Sequence, residues 1–106
     1  MAATVSWAAS ALSDVERVLE HIAVDSEYYA AGFARRIRDA ARSLETFPER
    51  AGIVTEIGSP DIREILVGRY RMIYQIRESN VSILAFVHGA RDLKGTWERK
   101  PRDPAS

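Results

Sequence analysis

Apolar positions change period near the middle of this chain, from every three or four residues before Pro48 to every two after Val54. Ahead of the first region, Thr4-Val5-Ser6-Trp7 alternates polar and apolar, which predicts a short strand. Leu12, Val15, Leu19 and Ile22 then fall on one helical face, and Ser13-Asp14-Val15-Glu16 fits a capping box, so a helix is expected over about 10–24. Ser26 is placed to cap a second helix. Its apolar stripe is Tyr29, Phe33, Ile37, Ala40, Leu44 and Phe47, and it ends near Pro48, which cannot continue a helix. The short Val24-Asp25-Ser26 link makes the two an antiparallel hairpin.

Four strands are expected after this hairpin: a weak one over Val54–Ile57, then Ile62–Val67, Tyr70–Arg77 and the strongly apolar Val81–His88. Gly68-Arg69 places glycine first in a two-residue loop, where a type II′ turn requires positive φ. The register follows: Val67 opposite Tyr70, Ile65 opposite Met72, Arg63 opposite Tyr74. Ile65, Val67, Tyr70, Met72, Tyr74 and Ile76 then share the face that takes the helices, while Glu64, Leu66, Arg71, Ile73, Gln75 and Arg77 share the other. The last strand is apolar on both parities, so the second face also needs cover, from the tail after Arg91 or from another chain. The fold class is α+β: a helical hairpin on one face of an antiparallel sheet, extended by the N-terminal strand, with residues 1–93 as the domain and 94–106 as a tail.

Composition narrows the chemistry. The chain has 106 residues, enough for one core, and no cysteine, which removes disulfides, cysteine metal sites and thiol nucleophiles together. With His21 and His88 as its two histidines, a metal centre is not expected, nor is any cofactor. No apolar run reaches the roughly 18 residues of a membrane span, so a soluble cytoplasmic protein without membrane contact is expected. Net charge is zero, yet residues 1–58 hold six arginines against nine carboxylates and residues 59–106 hold nine basic groups against six. Thirteen of the fifteen basic residues are Arg, which favours forked contacts with carboxylate or phosphate.

The order of elements, with Val5-Ser6-Trp7, Leu44-x-x-Phe47-Pro48, Arg63-Glu64-Ile65-Leu66-Val67-Gly68, Tyr70-Arg71-Met72-Ile73-Tyr74 and His88-Gly89-Ala90-Arg91, resembles the ParE/RelE superfamily of bacterial toxins over about residues 4–93. The resemblance implies the toxin of a type II toxin–antitoxin (plasmid stabilisation) system, neutralised by a small ParD-like antitoxin. ParE-like members poison DNA gyrase. RelE-like members cleave mRNA on the ribosome without a metal.

Cleavage through a 2′-hydroxyl needs cations at the phosphate and a proton donor and acceptor. RelE-like nucleases resemble one another in an Arg before the Tyr-Arg-x-x-Tyr strand, an Arg after the last strand and a Tyr some six residues on; this chain has Leu66, Arg91 and Trp97 there. Only Arg91 fits, so the ParE-like, non-enzymatic reading is favoured. The alternative is a ribosome-dependent endoribonuclease using Arg71, His88 and Arg91. For target or antitoxin binding, the expected surface is Leu66, Arg71, Ile73, Arg77, Arg91 and Trp97, apolar residues among Arg forks.

Overall fold

A computed structural model describes residues 2–89. Its elements are β1 (Thr4–Trp7), α1 (Ala9–Asp25), α2 (Glu27–Ser43), β2 (Gly52–Ile53), β3 (Ile62–Val67), β4 (Tyr70–Arg77) and β5 (Asn80–His88). The sheet order is β1-β5-β4-β3-β2. All neighbours are antiparallel except β1, which runs parallel to β5 from Thr4 opposite Asn80 to Trp7 opposite Ile83. The α+β architecture agrees with the sequence, and the added N-terminal strand is parallel, because the rest of the chain separates it from its partner and no hairpin joins them.

The expected register of the β3–β4 hairpin holds at all three pairs. Gly68 takes φ +60, and a Cβ there would lie 3.1 Å from the Phe33 ring, so the turn needs glycine both for its backbone and for the close approach of α2. Behind that turn, Tyr70 stacks on Phe86 with centroids 5.1 Å apart, and Phe33 of α2 lies 5.8 Å from the Tyr70 ring. Met72, Tyr74, Ile83, Ile37 and Leu44 complete a core between sheet and helices. Tyr74 is fully buried and its hydroxyl donates to the Pro48 carbonyl at 2.7 Å, tying the end of the helical segment to the centre of β4. Burial raises its pKa, which keeps the donor protonated.

Ser26 alone separates the helices. Its N–H donates to the Ile22 carbonyl at the end of α1, while its Oγ accepts the Tyr29 N–H at 3.0 Å at the start of α2. The capping box expected at Ser13 is not the start of α1. That helix begins four residues earlier, straight from β1, with Ala8 as an N-cap lacking a side-chain bond. Asp14 instead points inward, accepting the backbone N–H of Phe86 at 3.0 Å and Arg17 at 2.6 Å, and Ser10 Oγ donates to the Leu84 carbonyl. Because β1 stops at Trp7, the second half of β5 has no strand on that side among the described residues. The first turns of α1 supply its hydrogen bonds.

Three further expectations shift. The weak strand at Val54–Ile57 is a turn, and pairing is confined to Gly52–Ile53. Tyr29 and Phe47, at the two ends of the α2 stripe, are both 61% exposed. Tyr29 lies in the first turn, and Phe47 lies past Ser43, where the helix has ended and its phase no longer applies. Leu12 is 48% exposed because α1 turns Ala11 and Asp14 to the sheet and leaves Leu12, Val15 and Leu19 facing α2.

Candidate protein-docking site

The sheet splits the residues singled out from the sequence. Tyr70 is opposite His88, and the two rings meet edge to face at 5.4 Å on the helix side. Arg71 is opposite Val87 and so points to the other face. Arg71 and His88 therefore do not converge on one reacting atom, and the alternative nuclease set is divided by the backbone.

On the second face Arg71 is buried and held by two carboxylates. Its terminal nitrogens meet both oxygens of Glu56 at 2.9 and 3.0 Å, and its Nε donates to Glu64. Hydrogen bonds donated to these carboxylates raise the Arg71 pKa, and the guanidinium holds the Glu56 carboxyl down to about 2. One cation against two anions leaves this cluster net negative. It staples the turn after β2 across the sheet, and it corrects the expectation of a free Arg fork there.

Ile73, expected as an apolar contact beside Leu66, is fully buried. Leu66 is 69% exposed and Arg77 is exposed, but Arg77 is six residues from Arg71 along β4, roughly 20 Å away, so the two do not form one patch. Arg91 and Trp97 lie outside the described residues.

A different feature has the shape of a binding site. Between β1, α1 and α2 runs an apolar groove of about 320 Å³, with Val5 and Trp7 on one wall, Leu12, Val15 and Leu19 on another and Ala34, Ile37 and Ala41 on the third. Arg38, Arg42 and Glu45 stand at its lip. Beside it β1 is an edge strand, its outer backbone groups without a strand partner among the described residues. The sequence places Val5, Trp7, Leu12, Val15, Leu19 and Ile37 on apolar faces, though not Ala34 or Ala41, and does not show that the two helical stripes and β1 leave a gap between them. The one available signal is surplus: α1, α2 and β1 together carry more large apolar residues than one sheet face covers.

This architecture can be set beside known proteins. The family model described as "ParE toxin of type II toxin-antitoxin system, parDE" matches residues 5–93. The chain belongs to this family. It is a toxin of a type II toxin–antitoxin system, and its partner is a cognate antitoxin. A curated relative, Toxin RelE2 of Caulobacter vibrioides, is 32% identical over 90 residues, covering 84% of this chain and 98% of that protein. Among solved structures, the chromosomal ParDE toxin–antitoxin system from P. aeruginosa superposes with a TM-score of 0.68 at 15% identity, covering 81% of this chain and 95% of that one, which shows the same fold. No helix among the described residues is long and apolar enough to cross a membrane.

Proposed function

We propose that this toxin arrests growth in the cytoplasm by binding DNA gyrase, not by cleaving RNA, and that a ParD-like antitoxin restrains it through the groove between β1, α1 and α2. The observation that carries the non-nucleolytic reading is the Glu56–Arg71–Glu64 cluster. The guanidinium of the Tyr-Arg-x-x-Tyr strand already has two carboxylate partners, and the cluster's net negative charge repels a phosphate. His88 lies on the other face and Leu66 stands where a nuclease would place an Arg, so neither joins Arg71 in a set for 2′-hydroxyl attack.

The groove suits an amphipathic antitoxin segment, its apolar residues on Val15, Ile37 and Trp7 and its carboxylates on Arg38 and Arg42, with strand addition on the outer edge of β1. Two experiments test the reading. Purified toxin is expected to inhibit gyrase supercoiling, with relief on addition of the antitoxin encoded beside it; ribosome-dependent mRNA cleavage by the unaltered protein would overturn it. Leu12→Glu, at the groove mouth, is expected to weaken antitoxin copurification at least tenfold, and unchanged affinity would move the antitoxin elsewhere.

A further inference from the structure

The N-terminal half of α2 carries a second surface that the groove does not use. Tyr28 is 87% exposed and Tyr29 61%, an unusual loss of apolar burial for two adjacent aromatics. One turn on comes Gly32, then Arg35 and Arg36, both exposed, so that the two rings and the two guanidinia flank a notch with glycine at its floor. A Cβ at Gly32 would meet nothing nearer than an Arg35 terminal nitrogen at 3.7 Å. Close packing therefore does not require glycine in this helix, where alanine would be about 1 kcal/mol more favourable. Arg36 is already oriented, its guanidinium 5.5 Å from the centre of the buried Phe33 ring.

We infer that Tyr28, Tyr29, Arg35 and Arg36 around Gly32 form a docking surface for a carboxylate-bearing segment of the protein this toxin attacks. Exposed tyrosines and arginines close together are the residue types that dominate binding energy at protein interfaces. The charge argument selects an acidic protein over a nucleic acid. Two cations meet a short carboxylate cluster, whereas Asp25 and Glu27, at the hairpin turn beside Tyr28, oppose a phosphate backbone running on past the patch. The surface is also independent of the antitoxin groove. At 100° per residue, positions 28, 32 and 36 point away from positions 34, 37 and 41, so an occupant of the groove leaves the notch open.

The inference rests on the reading that the toxin works by binding a protein target, and the test separates the two. Gly32→Met fills the notch and Arg35→Glu with Arg36→Glu reverses its charge. Each is measured for growth arrest on induction, for binding to purified gyrase, for antitoxin copurification and for melting temperature. Gly32→Met is expected to hold or raise the melting temperature and keep antitoxin affinity within twofold, while growth arrest and gyrase binding fall at least tenfold; the double reversal is expected to do the same to arrest and gyrase binding. Wild-type arrest and gyrase binding in both variants would overturn the inference. If the unaltered toxin arrests growth without binding gyrase, the gyrase reading fails, and the patch is judged by the variants' growth arrest alone. Wild-type binding to a single-stranded RNA 20-mer that both variants lose would overturn the choice of a protein partner.

Discussion

The Asp14 carboxylate accepts the backbone N–H of Phe86 at 3.0 Å, joining α1 to the second half of β5 across 72 positions of sequence. It replaces the strand that β1, only four residues long, does not extend far enough to provide. Asp14 also sits within reach of Arg17, so its second oxygen is used as well.

Removing that acceptor leaves a buried amide unsatisfied, at a cost of about 1–3 kcal/mol. Asp14→Ala is expected to lower the melting temperature by roughly 5–15 °C, whereas Asp14→Asn, whose amide oxygen still accepts, should lose less than half of that. Thermal unfolding of the two variants side by side checks the ordering. Equal losses would mean that the negative charge, and not the acceptor, matters.

At Ser26 one hydroxyl caps α2 while the same residue's backbone closes α1. Ser26→Ala should therefore cost about 1 kcal/mol, and Ser26→Asp should restore it. Urea unfolding with an unchanged m-value would show that stability alone has changed.

Gly68→Ala combines a positive φ with a contact on Phe33 and is expected to cost about 1–2 kcal/mol. A drop in the melting temperature accompanied by near-ultraviolet dichroism changes from the Tyr70–Phe86 stack would locate the damage. A neutral outcome would show that the turn relaxes without disturbing the helix.

The Glu56 carboxyl is held at about 2, against 4.5 when free, chiefly by its hydrogen bonds from Arg71. Its folded pKa is depressed, so its contribution is complete above pH 4.5 and is lost as pH falls towards 2. Because the side chain is 36% exposed, the contribution is about 1 kcal/mol after solvent screening. Acid unfolding of Glu56→Gln should accordingly show a shallower dependence in that window. At neutral pH, Arg71→Met, which leaves two carboxylates together on a mostly buried site, should be the more damaging change, by about 2–3 kcal/mol.

Local chemistry in the sequence determined much of this protein: the two helices through their 3.6-residue stripes, Ser26 as a cap, and the β3–β4 register through the Gly68-Arg69 turn, because each depends on residues only a few positions apart. The order of these elements also carried the family resemblance. What only the tertiary structure decided depends on distant partners. Ser13-Asp14-Val15-Glu16 satisfies a capping pattern, yet Asp14 answers to Phe86, since an unpaired strand amide in a low-dielectric core outweighs a cap in water. Arg71 falls on the expected face, but its availability depended on whether Glu56, 15 residues before it, reaches across the sheet. The groove is the clearest case: Leu12, Val15, Leu19 and Ile37, which line it, are read from the sequence as helical core, and whether two apolar stripes meet or leave a gap is fixed by how closely Ala8 and Ala11 let α1 approach β5, a packing distance that periodicity does not encode.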